Sequence, residues 1–189
     1  AAARQLGLVT AEKPESVEIC FVPDDDYVAV LERRLPAGAP ALEPGPLVTT
    51  DGAVIGEHAG FARYTVGQRK GLPGGFAEPM YVVAIRPETR EVVVGRGAEL
   101  FGHEVSLEEV NWLADPLGPG DPVWVQCRYR ARAVPGTVDA IAGGRLALRL
   151  AEPVRAITPG QSGVLYDADD RLLGGGLIAG PASACGRSH

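Results

Sequence analysis

Methionine is almost missing from these 189 residues, Met80 being the one copy. A chain that opens on Ala1 and holds its methionine at position 80 reads as a fragment or a trimmed product, with Ala1 to Gly7 as the end of a helix and Gly7 as its C-cap. Cysteine is scarce too. Cys20, Cys127 and Cys185 are odd in number and widely spaced, which argues against a disulfide framework and for a reducing, cytoplasmic setting. No apolar run approaches the roughly 18 residues of a membrane span, and no signal-peptide pattern opens the chain. No second histidine or cysteine stands at a metal-ligand spacing from His58, so no zinc or other metal site is expected. The Walker pattern G-x-x-x-x-G-K-[ST] is absent as well.

Glycine (25) and proline (16) are what the chain has in quantity, and that much punctuation favours short strands and turns over long helices. The expected fold is mainly β: a short helical N-terminal segment, a small central β domain and a C-terminal six-stranded β-barrel. Net charge is -6, at first sight wrong for a nucleic-acid binder, but the distribution decides more than the sum. Residues 61–100 hold 6 basic and 4 acidic side chains, and residues 121–160 hold 6 and 3, whereas residues 1–60 hold 4 and 10. Positive charge is confined to two segments.

Asp24 reads as a helix N-cap with Asp25 and Asp26 in the first turn, and Tyr27, Leu31 and Leu35 form one apolar face that Pro36 ends. After a Pro/Gly/Ala linker, Leu47 to Thr49 and Ala53 to Ile55 flank Thr50-Asp51-Gly52 as a hairpin. His58 is expected in a loop as ordinary polar surface. Phe61 to Val66 reads as a strand, and Met80 to Ile85 with Glu91 to Val94 as a second hairpin. The barrel strands are expected at Val105 to Trp112, Pro122 to Tyr129, Ala131 to Ile141, Arg145 to Leu150, Ser162 to Asp167 and Leu172 to Ile178. The segments divide as 1–36, 37–102, 103–179 and a disordered tail, 180–189.

Three places invite a chemical reading. Cys20 stands between Ile19 and Phe21 beside Glu18, Asp24, Asp25 and Asp26. It is either a small buried hydrophobe or a thiol whose cationic activator comes from elsewhere, because acidic neighbours hold it protonated. Gln68, Arg69 and Lys70 occupy a glycine-rich loop that is either solvated surface or a contact for an RNA backbone or a neighbouring acidic site. Arg128, Arg130 and Arg132 alternate. On a strand they would share one face about 7 Å apart, near the phosphate spacing of an RNA strand, with Tyr129 turned away or stacked on a base.

Ser16 to Asp24, Tyr64-Thr65-Val66-Gly67-Gln68-Arg69-Lys70-Gly71 and Thr158-Pro159-Gly160-Gln161-Ser162, in that order, resemble the C-terminal half of the tRNA-specific 2-thiouridylase family. The resemblance runs from about Ala2 to Ile178. It implies that Cys20 carries the transferred sulfur as a persulfide, and that Arg128, Tyr129 and Gln161 fall where the family's barrel touches tRNA. It also implies that the barrel is similar to the second domain of elongation factor Tu. Further implied are ATP and Mg in an N-terminal ATP-binding domain outside this chain, which alone should be inactive. A sulfur-relay protein or cysteine desulfurase is implied as donor. The competing reading is a non-catalytic RNA-binding β module in which Cys20 only packs; a third is a scaffold that contacts another protein.

Overall fold

The computed structural model describes residues 27–72 and 74–180. The readings at Gly7, Cys20 and Asp24 to Asp26, and at the tail from residue 181, lie outside the described residues. The first element, α1 (Tyr27–Arg34), buries none of its residues fully. Its last turn closes through the Leu35 N–H on the Leu31 carbonyl at 2.8 Å, and Pro36, unable to continue the ladder, ends it.

A four-stranded mixed sheet follows, ordered β2-β1-β4-β3. β1 (Gly45–Thr49) and β2 (Val54–His58) form the expected hairpin, with Gly52 at φ 89 in the turn. β3 (Met80–Arg86) and β4 (Glu91–Arg96) form the second, and β1 runs parallel to β4 at the centre. Leu47, Val82, Val92 and Val94 are its buried core.

Two expectations fail in this sheet. Phe61 to Val66 is not a strand: Phe61–Arg63 is a 3-10 turn, entered through Gly60 at φ 121. Phe61 and Tyr64, three residues apart, pack on the same core cluster, a spacing that suits a 3-10 turn and not a period of two. His58 is not loop surface. It ends β2, is 3% exposed, accepts the Gly60 N–H on Nδ1 at 3.0 Å and has Nε2 2.9 Å from the Arg90 carbonyl. With Nδ1 accepting, Nε2 is the nitrogen that donates to the Arg90 carbonyl. Gly45 makes room for it, since a Cβ there would lie 2.3 Å from the Arg90 oxygen and 3.0 Å from the imidazole.

The remaining strands are β5 (Phe101–Trp112), β6 (Pro122–Gln126), β7 (Val134–Ala142), β8 (Arg145–Arg155), β9 (Ser162–Tyr166) and β10 (Leu172–Ile178). They close into an antiparallel barrel in the order β10-β5-β8-β7-β6-β9, which leaves no free edge among its strands. The period of two in β8 points Leu146, Leu148 and Leu150 inward beside Leu107, Val125 and Leu165. Burying a leucine this fully contributes about 2 to 3 kcal/mol. Outward, Arg145 pairs with Glu108 at 3.3 Å, and Arg149 with Glu104 at 3.1 Å and Asp139 at 3.2 Å.

Sheet and barrel meet at a seam. The Ala156 N–H donates to the Leu100 carbonyl at 2.7 Å, and Val66, Leu100 and Ala156 form a small buried cluster against Tyr81 and Val83.

Candidate nucleic-acid interface

β6 and β9 pair through Gln126 and Val164, so the chain leaving β6 and the chain entering β9 lie at the same end of the barrel. That rim carries the turn from Cys127 to Ala133 and the turn from Thr158 to Gln161. Arg128, Tyr129 and Gln161, far apart in sequence, therefore share one end of the molecule.

The arginine row is not a strand face. β6 stops at Gln126 and β7 begins at Val134, because the pairing of Val125 with Val134 leaves the residues between them to turn the chain. The Ala131 N–H donates to the Arg128 carbonyl at 3.1 Å, Gln126 Nε2 donates to the Ala131 carbonyl at 2.6 Å, and Arg130 adopts φ 63. The three guanidiniums consequently differ in setting. Arg128 is half-buried, with no carboxylate paired to it among the described residues. Arg130 places its guanidinium 5.2 Å from the Tyr129 ring centroid, and Arg132 is ion-paired with Glu152. Tyr129 is 86% exposed at the tip of the turn. Its ring has one face held by a cation and the rest open to solvent, which suits stacking on an unpaired base.

Gln161 closes its turn with main-chain groups only: its N–H donates to Thr158 at 3.3 Å and its carbonyl accepts from Ile178 at 2.7 Å. The side-chain amide is exposed.

The Gly67–Gly71 loop lies against the edge of β3. The Gly67 N–H donates to Val82 at 2.8 Å, and the Val82 N–H donates to Gln68 at 2.9 Å. Gln68 spends its amide on the loop itself, accepting the Thr65 N–H at 2.9 Å and donating to the Lys70 carbonyl at 2.8 Å. Arg69 and Lys70 are exposed and no carboxylate pairs with them among the described residues. Of the loop's backbone N–H groups, Gly67 donates into the sheet and Gln68 to the Thr65 carbonyl.

Cys127 faces the barrel core at 2% exposure, and burial pushes its thiol up to about 11. It is packing and not a nucleophile. Between sheet and barrel lies a cleft of about 450 Å³ walled by Tyr64, Ile85, Ile157 and Pro159, with Arg86 and Thr158 among its polar groups. The sequence reading missed the seam arginine, Arg155, and the aromatic it stacks on, Tyr81. The only available signal was a cation just beyond the clean alternation of β8.

The arrangement is that of a two-part β protein with a cation-bearing sheet loop and a barrel rim suited to RNA. Residues 31–96 match the family model described as a tRNA methyl transferase PRC-barrel domain, and residues 102–178 match an aminomethyltransferase beta-barrel domain. A protein named tRNA-specific 2-thiouridylase MnmA from Acidithiobacillus ferrooxidans is 47% identical over 182 residues, covering 95% of this chain and 51% of the relative. The protein of that name from Carboxydothermus hydrogenoformans is 45% identical over 177 residues, 93% of this chain and 47% of the relative. The Rhodospirillum centenum protein is 43% identical over 196 residues, 97% and 49%. The chain belongs to the tRNA-specific 2-thiouridylase family, matching the C-terminal half of its members. It spans about half the length of the curated relatives it matches.

Proposed function

We propose that this chain is the sulfur-carrying and tRNA-binding portion of a tRNA-uridine 2-sulfurtransferase. The observation that carries the reading is the convergence of Arg128, Tyr129 and Gln161 on one barrel rim, in a chain 47% identical over 182 residues to a protein named tRNA-specific 2-thiouridylase. Arg128 supplies charge to a phosphate, Tyr129 a stacking face, and Gln161 an amide for a base or ribose edge. Arg69 and Lys70 extend the contact to the sheet, whereas Gln68 shapes their loop. Arg130 keeps Tyr129 in place, and Arg132, already paired, contributes less.

Cys20 carries the sulfur as a persulfide whose terminal sulfur attacks C2 of the wobble uridine. The C2 oxygen, adenylated beforehand, leaves as AMP, and a second cysteine outside this chain takes up Cys20 Sγ as a disulfide, which releases the thiocarbonyl. ATP and Mg would be held by an N-terminal domain and would supply that adenylation. The sulfur arrives from a relay protein or a cysteine desulfurase, and the setting is cytoplasmic. Among the described residues, no helix is long and apolar enough to cross a membrane.

The test is reconstitution. This chain is joined to the N-terminal half of the Acidithiobacillus relative and supplied with ATP, tRNA and a sulfur donor. Thiolated tRNA should form, and Cys20→Ser should abolish it while leaving tRNA affinity within about twofold. Thiolation that survives Cys20→Ser removes Cys20 from the chemistry and leaves a β module that only holds RNA.

A further inference from the structure

Arg155 is the last residue of β8 and stands where sheet and barrel meet. Its guanidinium lies 5.5 Å from the ring centroid of Tyr81 on β3. Its Nη1 is 4.0 Å from the point where a Cβ on Gly67 would sit, so it rests against the start of the loop that carries Arg69 and Lys70. The next residue, Ala156, takes φ 54 and is tied to Leu100, which anchors the strand end in the seam.

The barrel's other strand arginines are neutralised. Arg145 faces Glu108, and Arg149 faces both Glu104 and Asp139. Arg155 is exposed, and no carboxylate pairs with it among the described residues. Stacking on Tyr81 orients the guanidinium plane without cancelling its charge, and leaves the N–H fork free for a bidentate anion. An oriented but unneutralised arginine at the start of the loop that carries two further exposed cations is a phosphate-binding arrangement.

We propose that Arg155 binds a phosphate of the RNA backbone and joins the cations of the sheet loop to the barrel rim as one continuous track. The proposal rests on the RNA-binding reading above and adds a contact to it. Because the seam ties both bodies together, phosphates engaged on the sheet raise the effective concentration of the RNA at the rim.

The experiment is a filter-binding titration of the 189-residue chain against a total tRNA fraction at several salt concentrations. Arg155→Gln keeps most of the packing and loses the charge. It should weaken binding and flatten the slope of log K against log salt by about 0.7 to 0.9, one phosphate contact. Arg155→Lys should keep the slope. A parent-like slope in Arg155→Gln overturns the proposal, and so does a loss in Arg155→Lys as large as in Arg155→Gln, which marks packing. If Arg128→Gln flattens the slope and Arg155→Gln does not, only the Arg155 contact fails; a flat slope in the parent ends both readings.

Discussion

Removing the Tyr129 ring is the cleanest single perturbation of the barrel rim. The side chain is 86% exposed, so Tyr129→Ala opens no cavity, and the melting temperature should move by no more than about 1 °C. Arg130 keeps its charge in the variant, so the Coulombic part of RNA binding is preserved. What goes is a stacking platform. A base stacked on an aromatic ring contributes about 1 to 3 kcal/mol, which corresponds to about 5- to 150-fold in Kd. Fluorescence anisotropy with a labelled tRNA, at fixed ionic strength, reads that range directly. Tyr129→Phe keeps the ring and should stay within about twofold of the parent. An alanine variant that binds tRNA as tightly as the parent would refute the assignment of Tyr129 to base stacking, and with it the reason for an exposed tyrosine held by Arg130 at that turn.

Other expected outcomes concern the scaffold. Cys127 should resist alkylation by iodoacetamide at mildly alkaline pH until the barrel unfolds, because its thiolate is disfavoured there. Its raised folded value means that the unfolded chain loses this proton first, so stability falls as pH rises from about 9 to about 11. The loss is on the order of 2 kcal/mol, readable as a urea midpoint that falls across that window by more in the parent than in Cys127→Ala. Glu109 sits at φ 53 in a bulge of β5, so Glu109→Gly should stabilise the barrel by about 1 kcal/mol in urea unfolding. Gly45→Ala should cost more than 1 kcal/mol by the same measurement, because its Cβ would press on the Arg90 carbonyl.

The β architecture was legible where local rules and the global fold agree. Asp51-Gly52 dictated the first hairpin, the alternation Arg145 to Leu150 dictated the inward row of leucines, and the turn residues spaced the barrel strands. It failed where one pattern served two geometries. Tyr64 and Val66 stand two apart as on a strand, yet the positive φ of Gly60 starts a 3-10 turn that packs Phe61 and Tyr64, three apart, on one core cluster. Arg128, Arg130 and Arg132 alternate as well, but the span between paired residues Val125 and Val134 must reverse the chain. The burial of His58 depends on Arg90, which is 32 residues away. The stacking of Arg155 on Tyr81 depends on two separate β bodies meeting. No local pattern encodes either. The candidate site was legible as residue types, and its grouping on one rim became visible only through the register of β6 on β9.

Photocrosslinking tRNA to the chain, followed by mass mapping of the joined peptides, addresses the RNA-docking claim most directly. Adducts should fall on the peptides holding Tyr129, Gln161 and the Arg69–Lys70 loop. Adducts confined to the opposite end of the barrel, around Leu113 and Leu172, would contradict it.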